Sequence, residues 1–175
     1  GHEKARHKIA TPAGDYKATI EAITDLVANL EQLGDLKHNE TPVGIGIPGT
    51  VSPATSLIKN ANSTCLIGQD MSGDLARALK RPVRLANDAN CFAVSEATDG
   101  AGAGATLVFG VILGTGVGGS VAIEGKAIKG INGIAGEWGH NPLPWATNDE
   151  RPGPKCYCGQ KGCIETFLSG PGLAA

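Results

Sequence analysis

A chain of 175 residues with 41% hydrophobic side chains can bury one large core or two small ones, which argues against a disordered polar segment. Its formal net charge of −2 offers no electrostatic footprint for a nucleic acid or a membrane surface. Five cysteines, an odd number, occur without a secretory signal or an apolar run of transmembrane length, which points to a reducing cytoplasm, where clustered thiols hold metal more often than they pair.

Residues 5–10 read as a short edge strand with a weakly basic, solvated face from Lys4, Arg6 and Lys8. Asp15 is placed to cap a helix in which Ile20, Ile23, Leu26, Val27, Leu30 and Leu33 recur at helical spacing, and Gly34 ends it. Val43–Ile47 reads as a strand stopped by Pro48-Gly49, and residues 57–61 as another. A helix over residues 72–80 is broken by Arg81-Pro82, and the strand 83–86 then runs into Asn87-Asp88-Ala89-Asn90. The apolar pattern from Ala89 to Thr98 is helical, so Asn87 and Asp88 stand where a strand becomes a helix. Ligands of α/β sheets gather at that end of a strand, although an aspartate there can also serve as a plain helix cap.

The glycine-alanine stretch 100–104 is the best candidate for a domain boundary, dividing the chain into 1–103 and 104–175. An apolar strand over 106–113 follows, then a turn through Gly114-Thr115-Gly116-Val117-Gly118-Gly119 and a return strand over 120–123. Glu124-Gly125 makes a hairpin turn into 126–128. Glycines at 114, 116, 118 and 119 let backbone amides approach an anion, and Thr115 adds a hydroxyl, which suits a phosphate cradle. The segment lacks the lysine of a P-loop and the helix of a dinucleotide fingerprint.

Glu137-Trp138-Gly139-His140 places Glu137 and His140 three apart, on one face if the segment is helical. Residues 141–154 are rich in proline and glycine and read as a loop, and a last helix runs over 164–169 until Gly170-Pro171-Gly172 interrupts it. Between them, Cys156-Tyr157-Cys158-Gly159-Gln160-Lys161-Gly162-Cys163 packs three thiols around glycine turns. With a histidine close by, that composition suits a four-coordinate zinc site, with buried thiols or one disulfide and a spare cysteine as the alternatives.

Gly46-Ile47-Pro48-Gly49, Asn60-Ala61-Asn62-Ser63, Leu85–Asn90, Leu113–Gly119, Gly136–His140 and Cys156–Glu165 together resemble the ROK family of sugar kinases, in particular its fructokinase/mannokinase branch. The resemblance covers nearly the whole chain, and its last two motifs jointly are its most specific carriers. It implies an actin-like (ribonuclease-H-like) α/β kinase of two lobes, with 1–103 belonging to the small lobe and 104–175 beginning the large one. Asp88 matches the catalytic base that takes the proton of a sugar hydroxyl. Asn87, Glu137, His140 and Glu165 match side chains that grip sugar hydroxyls, and Gly49 and Asn62 match positions lining the sugar. Gly114, Thr115 and Gly116 match a loop facing the ATP phosphates. His140, Cys156, Cys158 and Cys163 match zinc ligands, so His140 would hold metal through one nitrogen and sugar through the other. Such a zinc is structural, because four protein ligands leave no open position.

The expected reaction is therefore transfer from Mg-ATP to a hexose, fructose or mannose first, at its 6-hydroxyl; glucose and N-acetylglucosamine are alternatives, and Trp138 and Asn141 lean slightly away from acetamido sugars. The chemistry needs what these residues offer: a carboxylate within reach of the hydroxyl, and otherwise positioning and charge stabilisation. The family's Asp-x-Gly-Gly-Thr phosphate loop and its adenosine-binding glycines do not occur in the chain, which is read as a fragment with little or no kinase activity alone. Expected partners are hexose and ATP, with neither nucleic acid nor membrane, and a homodimer is among the assemblies the resemblance allows. Two other readings compete: the sugar-sensing lobe of a ROK transcriptional regulator, and a zinc-stabilised binding module. An aspartate at 88 favours the enzyme, since a pure sensor needs no base.

Overall fold

A computed structural model describes residues 2–37 and 41–175, and the chain divides into two compact units, Gly1–Asp88 and Ala89–Ala175. In the first, helix α1 (Tyr16–Leu33) begins at Asp15, whose side chain accepts from the Ala18 amide, and stops at Gly34. Strands β1 (Val43–Ile47) and β4 (Val83–Asn87) pair in parallel, with Val43 beside Val83 and Ile47 beside Asn87. The short β2 (Thr50–Val51) and β3 (Ile58–Lys59) pair antiparallel, and α2 (Met71–Leu79) starts at its cap Asp70.

Ile47, Ile58, Ala61, Leu66, Met71, Leu75, Leu79 and Val83 form one buried cluster, against which Ile20, Ile23 and Val27 of α1 pack. The helical spacing of those α1 residues is what brings them to one face. Leu75 is fully buried, a contribution of about 1.5–3 kcal/mol from burial alone. Two polar links pin α1 to its neighbours: the Tyr16 hydroxyl donates to Asp74 of α2, and Arg81 donates through Nη1 to Glu31 and to the Thr41 carbonyl. The Arg81–Glu31 pair is buried, which is tolerable only because each charge neutralises the other.

In the second unit, α3 (Asp88–Asp99), whose first residue closes the preceding unit, lies under a three-stranded antiparallel sheet of β5 (Leu107–Leu113), β6 (Val117–Ile123) and β7 (Lys126–Ala127). Gly110 matters here, because a Cβ on it would come within 3.1 Å of the Phe92 ring and 3.2 Å of Ala93. On the same sheet face the Ser120 hydroxyl donates to Asn90 of α3. On the opposite face Leu107, Phe109, Val111 and Leu113 are exposed. Two short helices, α4 (Glu165–Leu168) and α5 (Gly170–Ala174), end the chain and are separated by Ser169, which caps α5 through the Gly172 amide.

Several expectations change. Residues 5–10 form no strand; they lie in a largely exposed segment, where Arg6 pairs with Glu3 three residues away and no strand among the described residues supplies ladder partners. The return strand begins at Val117 rather than at residue 120, so Gly118 and Gly119 are strand residues and only Gly114–Gly116 turn. The glycine-alanine stretch 100–104 is held locally: the Gly102 amide donates to the Glu96 carbonyl, and a Cβ there would sit 2.6 Å from Val108. Glu137 and His140 lie on no helix; Trp138 and Asn141 close a turn by a 3.1 Å hydrogen bond instead. No helix among the described residues is long and apolar enough to cross a membrane.

Candidate functional site

In the first unit the structure gathers Gly49, Asn87 and Asp88. Strand β4 delivers Asn87, whose side-chain amide donates to the Gly49 carbonyl at 2.9 Å and to Asp88 Oδ1 at 3.2 Å. Gly49 has a positive φ of 75°, and a Cβ on it would meet the Lys59 carbonyl at 2.5 Å and the Ala61 amide at 2.8 Å, so only glycine fits. Ala61 is buried and Asn62, next along, is exposed. Asp88 is exposed at the start of α3.

The second unit gathers its candidates around the turn that joins β5 to β6. Leu113 pairs with Val117, so Gly114, Thr115 and Gly116 make a three-residue connection, closed by a 2.9 Å bond from the Gly114 amide to the Gly116 carbonyl. Gly114 thus closes the loop rather than offering its amide outward, while Thr115 is exposed at the tip. The loop is tied to the C-terminal helices at two points. The Val117 amide donates to Glu165 Oε2 at 2.8 Å, and the Gly170 amide donates to the Gly114 carbonyl at 2.7 Å. A Cβ at Gly116 would lie 2.5 Å from the same Glu165 oxygen.

Glu165 is also held from behind, its amide donating to the Gly139 carbonyl at 2.9 Å. Gly139 is required, since a Cβ there would fall 2.0 Å from the Val117 carbonyl. Gly136 has φ of 88°, with its missing Cβ 2.6 Å from Ser120 Cα. Between these glycines stand Glu137, exposed and near Gly118, and Trp138, whose indole N–H donates to the Gly118 carbonyl at 2.7 Å and whose ring meets Phe109 edge-on.

The histidine and three cysteines converge as the sequence expects. The donor atoms of His140, Cys156, Cys158 and Cys163 all lie within 4.8 Å of one another. His140 Nδ1 is 3.4 Å from Cys156 Sγ, and Cys158 Sγ is 3.6 Å from Cys163 Sγ. A tetrahedral zinc with bonds of about 2.0–2.3 Å has edges of roughly 3.3–3.8 Å, so these spacings suit the ion. All five cysteines are free thiols. Glycine turns shape the knuckle: Gly159 and Gly162 have positive φ, and the Cys156 amide donates to the Gln160 carbonyl at 2.9 Å. Burial pushes the Cys163 thiol up to about 12, whereas hydrogen bonding from the Gln160 backbone lowers Cys158.

Tyr157 is the residue that the pattern of ligands did not single out. Its hydroxyl lies 3.0 Å from His140 Nε2, and the two rings meet edge-on with centroids 5.1 Å apart. Loss of water around its hydroxyl, then the negative charges of Glu165, the cysteines and Glu137, raise its phenol, although the residue as a whole is exposed. The available signal was its position: one of only two tyrosines in the chain stands between two candidate metal ligands.

The family profile described as "ROK family" matches residues 1–175. An N-acetyl-D-glucosamine kinase of Citrobacter koseri is 44% identical over 171 residues, covering 95% of this chain and 55% of that protein. A ROK family glucokinase from Streptomyces griseus, solved in complex with glucose and AMPPNP, superposes with a TM-score of 0.75 at 32% identity over 95% of this chain and 50% of its own. A ROK hexokinase from Thermus thermophilus superposes with a TM-score of 0.74 at 29% identity, covering 94% of this chain and 52% of its own. The chain therefore spans about half the length of the relatives it matches, and its fold is theirs, the actin-like α/β fold of ROK sugar kinases.

Proposed function

The chain belongs to the ROK family, and on that footing we propose that the complete gene product transfers the γ-phosphoryl group of Mg-ATP to the 6-hydroxyl of a hexose, N-acetylglucosamine first. The observation that carries this reading is the convergence of Glu137, His140 and Glu165 on one glycine-built scaffold, tied through Val117 to the Gly114–Gly116 loop. Asp88 is the base that takes the hydroxyl proton. Asn87, Glu137, His140 and Glu165 hold the other hydroxyls, with Gly49 and Asn62 at the sugar's edge and Thr115 and Gly116 towards the ATP phosphates. Neutral sugars offer only hydroxyl donors and acceptors, so carboxylates, an amide and an imidazole are suited to them.

Zinc, held by His140, Cys156, Cys158 and Cys163, supplies cross-linking of an otherwise irregular loop and no chemistry at the reacting centre. The knuckle's own residues do the positioning: the His140 ring, fixed through Nδ1, presents Nε2, and the turn that ends at Cys163 leads through Ile164 into α4, whose first residue is Glu165.

Fructose and mannose, the sugars expected from overall resemblance, rank behind N-acetylglucosamine because the relative sharing 44% of its residues with this chain carries that sugar's name. Trp138 gives no reason to the contrary, since its indole N–H is already engaged by Gly118. ADP formation measured with N-acetylglucosamine, glucose, mannose and fructose checks the proposal. The highest kcat/KM is expected with N-acetylglucosamine; no ADP formation with any hexose would refute it.

A further inference from the structure

The thiols engage only one edge of His140. Its Nδ1 faces Cys156 Sγ at 3.4 Å, and the other ring nitrogen, Nε2, meets the Tyr157 hydroxyl at 3.0 Å. Those two contacts use both polar atoms of the imidazole. A metal ion on Nδ1 leaves the ring proton on Nε2, so the nitrogen donates and the phenolic oxygen accepts. Any sugar hydroxyl that is to be held by His140 must therefore take the place that the Tyr157 oxygen fills.

We propose that Tyr157 is a positioning residue of the sugar site, whose phenolic oxygen accepts from the His140 Nε2–H in the sugar-free protein and is the atom that a sugar hydroxyl replaces on binding. The inference rests on the assignment of His140 to the sugar. Two observations bear on it. The rings meet edge-on at 86° rather than stacked, and the phenolic oxygen stands 3.0 Å from Nε2. Finally, Tyr157 is 80% exposed, so the ring can swing away without opening a core. The same exposure argues against a role as a pillar of the knuckle, because a side chain that buries so little contributes little to folding.

The consequence is a ligand-mimicking contact that weakens sugar binding. Exchanging one neutral hydrogen bond for another cancels most of what His140 offers the sugar, and removing the competitor restores it, a change of about five- to tenfold in affinity. Because the contact exists only in the sugar-free state, its loss lowers KM and leaves kcat unchanged.

Calorimetry with N-acetylglucosamine and with glucose on the complete gene product, with zinc content and steady-state kinetics measured alongside, tests this with Tyr157→Phe and Tyr157→Ala. Both variants should keep the zinc content of the wild type, bind the sugar about five- to tenfold more tightly, lower its KM to match and hold kcat within about twofold. If Tyr157→Ala loses metal, Tyr157→Phe, which keeps the ring, decides alone. Unchanged or weaker binding by a zinc-replete Tyr157→Phe overturns the inference and leaves the kinase assignment standing. A wild type that binds neither sugar and forms no ADP with any hexose overturns both.

Discussion

In residues 1–88 the buried apolar side chains include Ile47, Ile58, Leu66, Met71, Leu75, Leu79 and Val83, a continuous cluster between two helices and a parallel strand pair. In residues 89–175 the most buried ones are small or polar, namely Ala93, Ser120, Ala122 and Cys163, and the close approaches run through Gly110, Gly119, Gly136 and Gly139. Asn87 and Asp88 hang from a strand that begins in the apolar cluster at Val83. Glu137 and His140 hang from turns, and Glu165 from the start of α4, at positions that depend on missing Cβ atoms and on four convergent side chains that could hold a metal. The first half resists perturbation in proportion to the hydrocarbon it buries, the second in proportion to backbone fit and to the cross-link that the proposed zinc would supply.

The largest effect that would sharpen this contrast comes from the knuckle. Cys163→Ser, or chelation, removes a site whose metal is worth on the order of 10 kcal/mol in small zinc domains. Hydrogen exchange should show protection lost across residues 141–165 while α1 and α2 keep theirs; equal loss in both halves would break the comparison. Next is Leu75→Ala, expected to cost about 2–5 kcal/mol by denaturant midpoint because a fully buried side chain leaves a cavity. Its unfolding should be confined to the first half, with zinc content unchanged. A smaller loss, on the order of 1–3 kcal/mol, is expected for Gly139→Ala, where the added carbon meets the Val117 carbonyl at 2.0 Å and the backbone must yield. Exchange of the Val117 and Glu165 amides should accelerate, and exchange of β4 should not.

The smallest effect is electrostatic and belongs to the first half. The Tyr16 hydroxyl, with Arg77 helping, holds the Asp74 carboxyl below its ordinary value. A carboxyl depressed on folding adds stability that is present above its unfolded value, about 4, and is lost as pH falls through the folded one. Acid titration of stability should therefore show a shallower acid limb for Tyr16→Phe than for the wild type, by well under about 1 kcal/mol given the solvent around the pair.

Much of this was legible in the sequence where the signal was local. Asp15 and Gly34 bound α1 as their chemistry dictates, and β4 runs into Asn87 and Asp88 as the apolar pattern ends. The histidine and cysteines were legible because metal-binding residue types are rare and cluster. What stayed hidden depended on tertiary partners. Gly118 and Gly119 look like turn residues, and only the pairing with Val111 and Ile112 makes them strand. Residues 5–10 alternate like an edge strand but have no sheet to join. The Glu137–His140 spacing is as compatible with a turn as with a helix, and the glycines on both sides of it select the turn. Tyr157 carried no periodic signal at all; its meaning comes from a ring nitrogen 3.0 Å away.

The proposed phosphoryl transfer depends most directly on Asp88 as the base. Asp88→Asn in the complete gene product keeps the size and polarity of the side chain and removes its ability to take a proton. Measured together, ADP formation with N-acetylglucosamine should fall by about 10²–10⁴-fold while calorimetric sugar affinity stays within a few-fold of the wild type. Turnover within about tenfold of the wild type, with sugar still bound, would contradict it.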